Sequence, residues 1–519
     1  MTRPTYIYDN WSTYDELSDA VPLTEDVALF QLEQVQRLQG QGVTYDAYLM
    51  DAFWYDPAGS YLTWRTDRWP NGPEKWLAGC KAAGLSPGLW FPANTAFTLD
   101  VPDAWKDSLD SNGWGFCCFE GGFLSGFISV LEHWFDRGVR VFKFDFADFS
   151  AASNATKLKL LPSEIRAKNI EAYSVALRGF RSRHPEAILL AYNGFEEAEF
   201  MPWTDRPVRR VIDPAWLEVF DTIYCGDPRP ADVPQENFWR TLDIYADHEI
   251  WYLNQGGLPL EKIDNCALML GKTGTCYWRG DAEWRTTWLL SYARRANIHV
   301  TMGNLEAICD CDAKWIAQVQ KLFEVHHSPK LIGGAPGHGE LYGYEVGGLK
   351  LLVNPGLEPV ECEESENLIY SDGAHICKHL TIGPGGVALL GESESLGGTG
   401  VAKRTTKIDP VWRNEGKRVQ TTIDAKAGEI HFGFTQVDAK GLAVRSATSS
   451  TTQKTTLRLQ AFSRDGDMPV TMSHDRVMWS GISWAYGVVH VDQDMPIRLL
   501  MSAEDPQVAQ IHPFVLHTS

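Results

Sequence analysis

The sequence is short of cysteine, of basic charge and of long apolar runs. Ten cysteines in 519 residues are too few for a disulfide scaffold. The close pairs, Cys117-Cys118 and Cys309-Asp310-Cys311, lack the CxxC spacing of a zinc site, and a fourfold ligand set is missing. The thiols therefore read as buried or incidental, and neither a metal nor another cofactor is expected. Lys and Arg number 47 against 67 Asp and Glu, a formal net charge of −20. Phosphate binding needs clustered cations, so this balance argues against nucleic acid and anionic membrane as partners. No apolar stretch approaches the roughly 18 residues of a membrane span. Met1-Thr2-Arg3-Pro4 has neither the apolar core nor the cleavage site of a signal peptide. The expected location is cytoplasmic, although a secreted form with its signal trimmed would read the same.

What is abundant is aromatic. Trp alone contributes 20 residues beside 18 Tyr and 23 Phe. Trp is costly to scatter over a surface, so many must be core, and some suit the flat walls of a sugar subsite. Apolar residues at 44% and charged residues at 22% describe an ordinary globular chain. Its length implies two or three domains.

From the N-terminus to about residue 325, short β-type runs alternate with amphipathic helical stretches. The strand candidates are Thr5–Tyr8, Tyr45–Met50, Pro87–Phe91, Arg140–Phe144, Ile188–Tyr192, Thr222–Cys225, Glu249–Leu253 and Gly274–Tyr277. Helix-like segments are Glu25–Gln39, Pro73–Ala83, Phe127–Asp136, Ser163–Arg183, Glu236–Asp247, Leu260–Leu270 and, after the last strand, Glu283–Ala296. Pro73 suits a helix start and Gly84 its stop. Helix-length gaps imply parallel pairing, and eight such units predict a (β/α)₈ barrel over residues 1–328. Beyond it, Tyr342–Val346, Gly347-Gly348 and Leu349–Val353 read as a hairpin. Thr455–Phe462, Gly487–Val491 and Ile497–Met501 are β-type with no helix between. These runs predict antiparallel β-sandwich structure, divided into 329–398 and a further β region over 399–519.

A barrel of this kind places its site at the C-terminal strand ends. The predicted ends carry Asp9-Asn10-Trp11, Asp51-Ala52-Phe53-Trp54, Trp90, Lys143-Phe144-Asp145, Asn193, Asp227, Asn254 and Trp278-Arg279-Gly280-Asp281. Carboxylates with tryptophans, without a phosphate loop, suit a neutral polyhydroxylated ligand. Two carboxylates across such a mouth are what glycoside cleavage needs. Asp145 suits the nucleophile, because Lys143, two residues back on a strand, points to the same side and can keep it ionised. An ordinary Lys–Asp pair at a strand end has the same spacing. Asp227 is placed to be the acid, with Asp232 its competitor; Asp148 and Asp51 could also serve, and spacing does not choose among them.

Several stretches together resemble glycoside hydrolase family 36, the α-galactosidase (melibiase) family of clan D. Gly88-Leu89-Trp90-Phe91 is similar to its Gly-(Leu/Ile)-Trp on the third strand, and Val141–Asp145 to its Lys-x-Asp nucleophile strand. Asp221–Asp227 resembles its strand leading to the acid/base Asp, Asn10-Trp11 its Asn-Ser-Trp, and Met50–Trp54 its Asp-Asp-Gly-Trp. The likeness covers residues 1 to about 330 and a short β-domain after the barrel. It implies a retaining mechanism with Asp145 as nucleophile and Asp227 as acid/base, Asp232 being the second choice. It further implies that Lys143, Asp51, Trp11 and Trp90 line the sugar site. Trp54, Asn193, Trp278 and Arg279 join them as candidates from their strand-end positions.

The chain also departs from the family. Asp51-Ala52 replaces the paired Asp-Asp, and the Gly-rich Arg-x-Asp stretch after the fifth strand gives way to Tyr192-Asn193-Gly194-Phe195; the barrel is expected to start almost at once, without the large N-terminal β-domain of many members. Different donors and acceptors bind different hydroxyls, so the glycone and linkage stay open. The expected substrate is an oligosaccharide or glycoconjugate bearing a terminal sugar. The alternatives are another glycone such as α-N-acetylgalactosamine, a transglycosylase, or a barrel that only binds carbohydrate. A metal-dependent hydrolase would show His at strand ends, and none of the predicted ends carries one. Oligomeric state is not legible.

Overall fold

The computed structural model describes residues 3–518 apart from 12, 15–21, 201–206, 225–246, 248–249, 252, 265–267, 271–283, 295–296, 325–328, 337–339, 355–358, 364–366, 397–404, 409, 438–456, 475–483 and 504–509. Its first sheet is wholly parallel. The strands are β1 (Thr5–Asp9), β2 (Ala47–Met50), β3 (Ser86–Pro92), β4 (Val141–Asp145), β5 (Ile188–Ala191) and β6 (Thr222–Tyr224). Two segments, Ile263–Asp264 and Leu268–Leu270, make up β7, and Ile298–Gly303 is β8. Each strand pairs with the next, with Ile263 opposite Ile223 and Leu268 opposite Thr301. The circuit returns through Thr5 opposite Ile298, a nearly closed (β/α)₈ barrel.

Strands β2 and β4 are buried at every position, as parallel strands covered by helices must be. Gly88 is needed inside: a Cβ there would lie 2.9 Å from the Val141 Cβ and 3.2 Å from the Leu49 Cα. The outer helices follow their sequence signals. Thr24 caps Glu25–Gly40 by accepting from the Val27 N–H, with Glu25 and Asp26 in the positive first turn. Pro73 opens Glu74–Ala82, and Gly84 at φ +70° turns the chain out of it.

The last quarter of the barrel differs from the sequence expectation. Of Glu249–Leu253, expected as the seventh strand, residues 250, 251 and 253 are helical. A short apolar run such as Ile-Trp-Tyr-Leu fits a buried helix and a buried strand equally well. Leu260–Leu270, expected as a helix, instead holds a 3₁₀ turn at Leu260–Lys262 and both segments of β7. The helix expected over 283–296 forms at Trp284–Arg294, but it precedes the eighth strand. That strand is Ile298–Gly303, whereas the expected Gly274–Tyr277 lies outside the described residues.

After the helix Asp310–Leu322 the chain becomes β throughout the described residues. The predicted hairpin forms, with Val346 opposite Leu349. It belongs to a six-stranded sheet over residues 330–391. One face of that sheet, including Tyr342, Tyr344, Leu351 and Leu389, joins the barrel's own apolar core. The junction also has a buried polar anchor: Asp247 accepts from Arg294 Nε at 2.5 Å and from both the Tyr344 (2.6 Å) and Tyr342 hydroxyls. Two further five-stranded sheets, spanning 405–518, enclose a separate core that includes Val419, Phe432, Phe434, Ile497 and Leu499.

Candidate active site

Buried ionic groups converge at the C-terminal strand ends. Lys143, within β4, donates from Nζ to Asp9 Oδ2 at 2.9 Å and to Asp51 Oδ2 at 2.6 Å. All three side chains are almost completely buried, at 3%, 1% and 4% exposure. The backbone holds the acceptors in place. Trp11 N–H donates to Asp9 Oδ1 at 3.0 Å, and Ala52 N–H to Asp51 Oδ1 at 2.8 Å. Asn10 Oδ1 takes the Asp51 N–H at 2.8 Å, tying the ends of β1 and β2 together. Burial, then the charge of Asp9, push the Asp51 carboxyl up to about 7 even though Lys143 pulls the other way. The ammonium also sits 4.0 Å from the centre of the Tyr192 ring. That ring stacks on Tyr224 at 4.9 Å and donates its hydroxyl to buried Asp264 on β7 at 3.1 Å.

Asp145 ends β4 beside this cluster. Its Oδ1 accepts three hydrogen bonds: Phe146 N–H at 2.8 Å, Asn193 N–H at 3.1 Å and Asn193 Nδ2 at 2.9 Å. Its Oδ2 accepts from Trp90 Nε1 at 3.1 Å. Burial raises the carboxyl's pKa; the Lys143 charge and the bonds from Trp90 and Asn193 oppose that rise. The sequence spacing fits either an effect of the Lys143 charge on Asp145 or an ordinary Lys–Asp pair; the ammonium hydrogen bonds to Asp9 and Asp51, and acts on Asp145 through space.

Two backbone features hold this geometry. Phe146 adopts φ +52°, a conformation that bulky residues rarely enter. Gly194, at φ +96°, allows the turn after β5 to press against the loop after β4, where a Cβ would come 2.2 Å from the Ala147 carbonyl oxygen. That approach, sealed by Ala147 N–H donating to the Asn193 carbonyl at 2.9 Å, delivers Asn193 to Asp145.

Of the residues singled out by sequence, Asp145, Lys143, Asp51, Asn193 and Trp90 meet here, and Trp11 stands half-buried with its ring 5.9 Å from the Lys143 Nζ. Trp54 does not. It is fully buried among Trp64, Trp134 and Phe91, with its indole N–H donated to the Trp90 carbonyl at 2.9 Å, so it is a core wall and not a sugar-facing surface. Asn254, expected at a strand end, is helical and bonds the Leu258 carbonyl at 3.1 Å. Asp227, Asp232, Trp278 and Arg279 lie outside the described residues. Three participants were not singled out. Asp9 stood among the strand ends without a partner to mark it, and Tyr192 was read only as the end of a strand. Asp264 was hidden because its segment looked helical.

Among the described residues, one group has metal-ligand spacing: Cys309, Cys311 and Asp312, far from Asp145 in sequence. The Asp312 carboxylate is already paired with Arg285, and Cys309 accepts the Asp312 N–H as a helix cap. No described helix is long and apolar enough to cross a membrane.

No protein-family model matches the chain, and no curated protein sequence does. Solved structures similar to it include α-galactosidase I from Mortierella vinacea, at 14% identity and TM-score 0.48, over 76% of this chain and 98% of that one. A family 27 β-L-arabinopyranosidase from Geobacillus stearothermophilus, solved with arabinose, has 10% identity and TM-score 0.47 over 97% and 98% of the two chains. A family 36 α-galactosidase of the same organism, solved with stachyose, has 9% identity and TM-score 0.46; 97% of this chain spans 56% of it.

Proposed function

We propose that the chain is a retaining α-glycoside hydrolase, α-galactosidase-like in its chemistry, that removes a terminal sugar from an oligosaccharide or glycoconjugate. The observation that carries this reading is the asymmetric holding of Asp145. Three donors saturate Oδ1 and a single indole N–H steadies Oδ2, which leaves lone-pair density on Oδ2 for attack. Fixing a nucleophile in this way lowers the entropic cost of reaching the reactive geometry.

In the first step Oδ2 bonds to the anomeric carbon as the glycosidic C–O bond breaks, and the leaving oxygen takes a proton from an acid across the mouth. In the second step water, deprotonated by that same group, attacks the anomeric carbon and releases Asp145 with configuration retained. Asp227 is the proposed acid/base on the motif resemblance, with Asp232 the second choice from its position five residues along. Asp9, Asp51 and Lys143 form a pre-ordered donor and acceptor set for sugar hydroxyls, with the half-buried Trp11 ring beside it. Hydrolysis and transglycosylation use the same groups and differ in the acceptor.

The test is a panel of aryl α- and β-glycosides assayed with wild type and with Asp145→Asn, Asp227→Asn and Asp232→Asn. The expected result is an α-specific activity reduced about 10³-fold or more by Asp145→Asn and strongly by Asp227→Asn. Full activity in Asp145→Asn would remove the nucleophile assignment. Loss in Asp232→Asn with retention in Asp227→Asn would move the acid/base five residues along. Analysis of products with added acceptor separates hydrolysis from transfer.

A further inference from the structure

Beyond the carboxylates, a run of aromatic rings leads away from Asp145 toward solvent. Trp90, whose indole holds Asp145, meets Phe53 edge-on at 5.6 Å between ring centres and Phe146 at 5.9 Å. Phe97 lies between those two, stacked on Phe53 at 5.4 Å and on Phe146 at 4.7 Å. Trp114 stands edge-on to Phe97 at 5.6 Å and completes the run. Exposure grows along it: Trp90 is 1% exposed, Phe53, Phe97 and Phe146 are half-buried, and Trp114 is 41% exposed.

These rings come from the loops after β2, β3 and β4, on the barrel face where ligands bind. Packing between loops would explain the buried end of the run, but it leaves unexplained why the ring most open to water is a tryptophan. The loops that carry them are firmly tied. Asn94 donates to the Phe116 carbonyl at 2.9 Å and the Asp148 carbonyl at 2.8 Å, and accepts the Asp148 N–H at 2.7 Å. Lys157 bonds Asp110 at 2.6 Å. A surface held this way loses little conformational freedom when it binds. Polar groups rim it, with exposed Asn112 accepting the Trp114 N–H at 2.9 Å and half-buried Asp148 on the neighbouring loop. Flat apolar faces bordered by hydrogen-bonding groups match a pyranose ring, which has a C–H face and a hydroxyl edge.

We propose that Phe53, Phe97, Phe146 and Trp114 form a leaving-group subsite that takes the pyranose unit attached to the scissile oxygen. The term leaving group rests on the hydrolase reading; binding of the sugar ring does not. The continuity of the rings with Asp145 places that unit next to the bond to be broken. Trp114 is the specificity-determining end, because its ring is the one most available to the sugar.

The test titrates full-length wild type, Trp114→Ala and Trp114→Phe by calorimetry with melibiose, maltose and isomaltose. The matching methyl α-D-galactopyranoside and methyl α-D-glucopyranoside are titrated alongside, and KM and kcat are recorded wherever turnover occurs. Trp114→Ala is expected to weaken the bound disaccharide about 10-fold while the methyl glycoside of the same glycone shifts less than about twofold, and Trp114→Phe to recover most of the loss. Equal weakening of both ligands, no weakening, or a wild type that binds none of these sugars overturns the subsite. Selective disaccharide binding without turnover of any glycoside would sink the hydrolase reading and leave the subsite standing. Turnover of aryl glycosides with no preference for disaccharide over methyl glycoside would do the reverse.

Discussion

The barrel mouth and the C-terminal sandwich are built on opposite principles. The mouth buries Asp9, Asp51, Lys143, Asp145 and Asp264, groups that lose hydration and recover part of it through one another and through the backbone, amide, indole and hydroxyl donors around them. The sandwich core is apolar, drawn from strands that alternate regularly. Across Arg418–Ala425, residues Val419, Thr421, Ile423 and Ala425 point inward and their neighbours outward. In the sandwich the buried apolar side chains add to stability, while the mouth keeps charged groups in a dry place where they are costly. The six-stranded sheet falls between the two in chain order, and one of its faces shares the barrel's core while the last two sheets keep their own.

The sharpest way to break this contrast is to exchange the consequences of mutation. Asp145→Asn is expected to lower turnover about 10³-fold or more while leaving unfolding free energy within about 1 kcal/mol of wild type, read by denaturant titration. Phe432→Ala is expected to do the opposite. Removing a fully buried ring costs about 3–5 kcal/mol, with kcat per folded molecule unchanged. If Phe432→Ala lowered kcat in the folded protein, the sandwich would be part of the catalytic machinery.

A smaller effect tests how the mouth is held. Gly194→Ala places a Cβ against the Ala147 carbonyl at a left-handed φ, so the turn must move and take Asn193 with it. We expect a loss of about 1–3 kcal/mol in stability together with reduced kcat. A stability loss with unchanged kcat would separate Asn193 from the site.

The last effect is in pH dependence. The Asp51 carboxyl is raised from 3.8 to about 7 in the folded protein. Its favourable contribution is therefore complete below about 4 and is lost as pH rises through about 7. Asp51→Asn removes that dependence, so the variant's stability should fall less between pH 4 and 7 than the wild type's. Parallel profiles would mean that Asp51 titrates alike in both states. No sandwich substitution should alter this slope.

The legibility of the chain follows the same division. The first six strands could be read because their short apolar runs are set off by helix-length amphipathic stretches, and the hairpin after the barrel and the late β-runs because they are β-type with no helix between. Glu249–Leu253 and Leu260–Leu270 exchanged helix and strand because short apolar runs without a period fit both. That exchange hid Asp264 and set Asn254 at a strand end it does not occupy. Trp54 departs from expectation for a related reason: a tryptophan beside a strand end looks the same in sequence whether its ring faces the mouth or the core.

By itself the sequence determined the fold class and the Lys143–Asp145 spacing on one strand, because these depend on local patterning and on residues two to a dozen positions apart. Only the tertiary structure decided that Lys143 bonds Asp9 and Asp51, that Asn193 and Trp90 divide the two oxygens of Asp145, and that Trp54 belongs to the core. The physical reason is distance along the chain. Asp9 and Lys143 are 134 residues apart, and closing the barrel brings their side chains to 2.9 Å. No local period encodes such a meeting; it exists once all the strands are paired.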